Sequence, residues 1–113
     1  MLQDDLAVQR TGGGAPLTLV INDGGTVTCN GRPAVAISDP QLVQARYLNT
    51  TVAPEAKQRL TLAPGPQPVF HYVVRTPDGR VSFSDDSAHV PAVLDQIELL
   101  TLQVAQQDCH LTP

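Results

Sequence analysis

The stretch from Val69 to Ser84 constrains the fold most. Apolar and polar side chains alternate along it, broken once by Pro77-Asp78-Gly79. An alternating run rich in Val, Phe, Tyr and Thr suits a half-buried strand, and Asp-Gly accepts the positive φ of a tight turn. The segment therefore predicts a β-hairpin. Phe70, Tyr72 and Val74 share one face, and Val69, His71, Val73 and Arg75 share the other. A second hairpin is predicted upstream. Leu17-Thr18-Leu19-Val20-Ile21 and Thr26-Val27-Thr28-Cys29 flank the turn Asn22-Asp23-Gly24-Gly25. Before it, Leu6 to Thr11 is a plausible short strand, with Leu6, Val8 and Arg10 in phase against Ala7 and Gln9. Gly12-Gly13-Gly14 then interrupts the pattern as a turn or bulge.

Two helical patterns complete the chain. Asn30-Gly31-Arg32-Pro33 turns it, and Val35-Ala36-Ile37 leads to a helix capped by Ser38 or Asp39. Pro40 stands in the first turn, where its missing N–H costs nothing, and Ser38 with Gln41 has capping-box spacing. Leu42, Ala45, Leu48 and Val52 make an apolar stripe, while Val43 and Tyr47 lie on another side. Pro54 disfavours helix at Ala53, with one more turn expected over Glu55 to Arg59. Leu60 to Leu62 could be a short strand. Ala63 to Pro68, with Pro64, Gly65, Pro66 and Pro68, reads as a stiff loop. After the polar segment Asp85 to His89, Pro91 opens a helix to about Gln106. Its core stripe is Val93, Ile97, Leu100 and Val104, widened by Leu94, Thr101 and Ala105. Leu99 and Leu102 fall on the far side among acidic residues. Counted by its two hairpins and two helices, the order is β-β-α-β-β-α. This predicts a single α+β domain over residues 1–113, an antiparallel sheet with two helices packed on one face.

Charge narrows the partners. The net charge is −4, and the segment from Val81 to Pro113 carries Asp85, Asp86, Asp95, Glu98 and Asp108 but no Lys or Arg. Such a surface repels phosphate, so no nucleic acid is expected, and either a solvated face or one that meets a basic patch fits it. No apolar run reaches the roughly 20 residues needed to span a bilayer, so no membrane is expected. Met1 to Asp5 lacks the pattern of a secretory leader, which suits either cytoplasmic synthesis or a leader already removed. The localisation stays open, with the cytoplasm slightly favoured and secretion expected only if a leader was removed. Cys29 and Cys109 are a possible disulfide, closing a loop of about 80 residues worth about 4 to 5 kcal/mol in chain entropy. In a reducing compartment they would instead be small buried thiols. The sequon at Asn49-Thr50-Thr51 reads as a chance occurrence.

The chain lacks the motifs that carry common chemistries: a nucleophile elbow, a phosphate loop, a zinc-protease helix or a dinucleotide fingerprint. Asp85, Asp86 and His89 could ligate a metal, but acids ahead of a helix more often cap it or stay solvated. His71 is expected to face solvent. Cys29, Cys109 and His110 lack a fourth ligand for zinc. No catalytic residue, metal or cofactor is therefore assigned, and the chain is expected to bind rather than catalyse.

Phe70-x-Tyr72-x-Val74, the Asp78-Gly79 turn, the alternating return strand, the Pro91-led helix and the N-terminal strand before Gly12-Gly13-Gly14 together resemble emfourin-type proteins. These are small bacterial inhibitors of thermolysin-like metalloproteases. The chain is also similar to small uncharacterised actinobacterial proteins with a Cys-Asn-Gly turn. Cys29-Asn30-Gly31, Cys109 and the proline loop depart from the inhibitor pattern, so no inhibitory residue is carried over. The resemblance implies a protease as partner. Two binding surfaces are expected. The first is the rigid loop at Pro64, Gly65 and Pro66, since preorganisation lowers the ordering cost of binding. The second is a helix surface at Leu99, Leu102, Tyr47 and Val43, through which a structural or regulatory subunit could associate with a protein partner or a second subunit.

Overall fold

The computed structural model describes residues 5–111. Its elements are β1 (Leu6–Thr11), β2 (Leu17–Asn22), β3 (Thr26–Cys29), β4 (Val35–Ala36), α1 (Asp39–Thr51), α2 (Ala53–Lys57), β5 (His71–Thr76), β6 (Gly79–Ser84) and α3 (Ala92–Gln107). The strands form one antiparallel sheet in the order β4-β3-β2-β1-β5-β6. The α+β class with an antiparallel sheet holds. Beyond the expected order, the chain sets β1 between the two hairpins and adds the two-residue β4. It also divides the first helical region at Val52, whose N–H bonds back to Leu48 O and Thr50 O. Pro54 follows in the first turn of α2, where a missing N–H is harmless.

One face of the sheet is buried under the helices. Leu6 and Val8 of β1, Leu17, Leu19 and Ile21 of β2, Val27 of β3, Tyr72 and Val74 of β5, and Val81 and Phe83 of β6 meet Ala45, Leu48, Val52, Leu94, Ile97, Leu100 and Val104. Removing these side chains from water is the main driving force for the fold, about 1.5 to 3 kcal/mol for each large one. Gln9, Thr18, His71 and Arg75 point to the opposite face and are exposed. The capping box at Ser38 forms in both directions: Gln41 N donates to Ser38 Oγ (3.2 Å), and Ser38 N donates to Gln41 Oε1 (2.9 Å). Leu42 is only half-buried, and Gln41 takes a buried place on the α1 stripe.

Cys29, the last residue of β3, and Cys109, just past α3, form a disulfide with Cα atoms 6.2 Å apart. It ties the third strand to the end of the last helix. The expected strand at Leu60 to Leu62 reduces to a bridge along the outer edge of β6, where Leu62 N bonds Ser82 O and Ser82 N bonds Leu60 O. That segment covers the β6 edge and delivers the chain to the proline loop. No helix of the described residues is long and apolar enough to cross a membrane.

Candidate functional site

The proline loop is held from below by two consecutive carboxylates. Gly65 N donates to Asp86 Oδ1 (2.9 Å) and Gln67 N to Asp86 Oδ2 (2.8 Å). Val69 N and Phe70 N both donate to Asp85 Oδ1, at 3.0 and 3.2 Å. Ser87 Oγ donates to Ala63 O (2.9 Å), and Asp85 N returns a bond to Phe70 O (3.1 Å). Bonds to an ionised acceptor are the strong kind, and here they replace the pairing that an irregular loop lacks. Gly65 is required by contact: a Cβ there would stand 2.4 Å from Asp86 O. Pro64, Pro66 and Pro68 fix φ between the anchors. Pro64 and Pro66 are exposed at the top of the loop, while Gly65 is half-buried against its anchor.

These contacts correct one expectation. Asp85 and Asp86 do not cap α3, whose N-cap is Pro91 without a side-chain bond. Among the described residues, no three of His, Cys, Asp and Glu lie placed to hold a metal ion. The capture of two N–H groups by Asp85 also explains why β5 starts at His71 rather than at Val69.

Directly beside the loop lies a groove of about 560 Å³, lined by Arg10, Phe70, Tyr72, Asp85, Asp95, Glu98, Leu99 and Leu102. Its aromatic side is a short stack on the buried face of the sheet. The Tyr72 and Phe83 rings lie 5.1 Å apart and nearly parallel, and the Phe70 ring sits 6.4 Å from Tyr72 at a tilt of 58°. Gly13 gives Phe70 its place, since a Cβ on Gly13 would fall 2.4 Å from the ring. Arg10 follows Leu6 and Val8 on β1 and is paired in register with Tyr72. Only 8% of it is exposed. Its guanidinium lies 4.5 Å from the Phe70 ring centre, a cation–π contact, while its Nε has no hydrogen-bond partner.

The α3 side of the groove is acidic and leucine-rich. Burial, then the charges of Asp95 and Asp85, push the Glu98 carboxyl up to about 7. Burial raises the Tyr72 phenol as well, helped by Glu98 and opposed by Arg10. Leu99 is 61% exposed and Leu102 half-buried. The structure thus brings Leu99 and Leu102 together at one groove, next to the proline loop through Phe70 and Asp85. Tyr47 is exposed with Val43 on α1 and does not line this groove. Arg10, Phe70, Tyr72, Asp95 and Glu98 were not singled out as binding residues from sequence. The available signal was Arg10 in phase with two core residues. An arginine on the buried side of a strand stays there when something engages its charge.

Compared with known proteins, the chain matches no family model and no curated protein.

Proposed function

We propose that this protein is a small non-catalytic binding domain that inhibits a protease by presenting the Ala63–Pro68 loop in a fixed shape. The observation that carries this reading is the set of four backbone N–H groups held by Asp85 and Asp86, which orders the loop before any partner arrives. A segment ordered in advance loses less entropy on binding than a free one, and about 1.4 kcal/mol saved is tenfold in affinity. The resemblance to emfourin-type inhibitors supplies the partner class, a thermolysin-like metalloprotease. A disulfide persists in oxidising compartments, which suits a secreted inhibitor better than a cytosolic subunit. The acidic face beside the loop argues for a protein partner over a nucleic acid.

The test is residual activity of a thermolysin-like protease with rising concentrations of the purified protein. The reading expects inhibition in the micromolar range or tighter, weakened about tenfold by Asp86→Ala, which frees the loop. No inhibition at any soluble concentration would overturn it. A second reading, association through the helix surface, draws on Tyr47 (58% exposed), Val43 and Leu99. A stable dimer by light scattering that Leu99→Asp with Leu102→Asp dissolves, in a protein without effect on proteases, would favour it.

A further inference from the structure

The groove between the β1/β5 end of the sheet and α3 carries two carboxylates, Asp95 and Glu98, that the protein does not itself pair. Between described residues the one ion pair is Arg46–Asp23, and neither partner lines this groove. Asp95 and Glu98 stand one turn apart on α3, so their carboxylates share a face, and no hydrogen bond or ion pair among the described residues engages either of them. Asp85 adds a third carboxylate at the loop end. At the other wall, Arg10 is more than nine-tenths buried, its guanidinium held over the Phe70 ring. Phe70, Leu99 and Leu102 supply the apolar surface between them.

We propose that this groove is a docking site for an extended segment of a partner protein in which a lysine or arginine lies next to a large apolar side chain. The cation sits against Asp95 and Glu98, and the apolar side chain covers Leu99, Leu102 and the Phe70 ring. Charge complementarity selects this occupant. Three carboxylates against one arginine disfavour phosphates and anionic membranes, and the leucines disfavour a purely polar ligand. The site does not depend on the loop's being inhibitory.

One physical consequence follows. Glu98 faces Asp95 on its own helix, Asp85 from the loop after β6, Tyr72 on β5 and Arg10 on β1. Burial, and then crowding by the two aspartates, keep its proton near neutrality, and an arriving cation displaces that proton. Binding is therefore tighter above neutrality than below it.

The test is an NMR titration of the ¹⁵N-labelled full chain with three capped tetrapeptides: acetyl-Leu-Arg-Leu-Arg-amide, its Glu counterpart acetyl-Leu-Glu-Leu-Glu-amide, and acetyl-Ser-Arg-Ser-Arg-amide. The expected result is saturable shifts at Phe70, Tyr72, Asp95, Glu98, Leu99 and Leu102 with the first peptide, binding about tenfold tighter than either other peptide and tighter at about pH 8 than at about pH 6. Asp95→Asn with Glu98→Gln should remove most of that preference. Equal binding of the acidic peptide, shifts confined to other surfaces, or concentration-dependent shifts at the groove without peptide, which would mean a second copy fills it, each overturn the proposal. Should the double variant fail to fold, the three peptides on the unaltered protein still decide. Since the readout is the groove itself, its failure is separable from a failure to inhibit proteases.

Discussion

Asp86→Ala is the perturbation that interrogates the loop most cleanly. It removes both acceptors of Gly65 N and Gln67 N while leaving Asp85, the disulfide and the core in place. A hydrogen bond to a charged acceptor contributes about 1.5 to 3 kcal/mol net. Asp86 is half-buried and the Gln67 bond is exposed, so the low end applies to each. The loop recovers some entropy on release, though its prolines limit how much. The expected loss is about 2 kcal/mol, which lowers the Tm of a domain this size by roughly 8 °C. The same 2 kcal/mol speeds hydrogen exchange at the Gly65 and Gln67 amides by roughly thirtyfold if those amides exchange by local opening. Guanidinium unfolding and amide exchange on the two proteins measure both quantities. A change under about 0.5 kcal/mol with unaltered exchange at both amides would refute the claim that Asp86 holds the loop, since surface substitutions without such a role stay within that range.

Other perturbations probe the rest of the account. Replacing both Cys29 and Cys109 by Ser opens a loop spanning 80 positions and should cost about 4 to 5 kcal/mol in chemical denaturation, and reductant should reproduce most of that loss in the unaltered protein. Gly65→Ala drives a Cβ into Asp86 O and should destabilise the loop as much as Asp86→Ala does, seen in the same exchange experiment. Glu98 has its folded carboxyl raised to about 7, above its unfolded value, so the folded state holds the extra proton between about pH 4.5 and 7 and stability falls as pH rises through that window. Glu98→Gln should therefore be neutral near pH 4 and stabilising near pH 8, by about 1 kcal/mol once solvent screening of a half-exposed group is allowed for. Leu94→Ala, at a fully buried position of α3, should cost about 2 to 5 kcal/mol in the same assay.

The legible part of the fold was local. Period-two alternation placed β2, β3, β5 and β6, and stripe spacing with the Ser38–Gln41 box placed α1 and α3 within a residue or two. Those signals report which face of a segment is buried and stay silent about which segments meet. The central position of β1, in register with β2 on one side and β5 on the other, depends on contacts between distant parts of the chain. The site divided in the same way. The stiffness of the proline loop could be read from its prolines, and the oddity of Leu99 and Leu102 from their helix face. The anchoring of that loop by Asp85 and Asp86 could not, because carboxylates fifteen or more residues away looked like an ordinary polar approach to a helix. Arg10 was visible in phase with Leu6 and Val8, yet only the fold shows that its neighbours are Phe70 and Tyr72.

Backbone ¹⁵N relaxation of the free protein probes the core of the functional account most directly, namely that the loop holds its shape unaided. Order parameters near 0.85 at Gly65, Gln67 and Val69, equal to those of β5 and β6, are expected. Values below about 0.6 at these amides, with a rigid sheet beside them, would mean that any partner must order the loop itself, and the proposed basis of binding would fall.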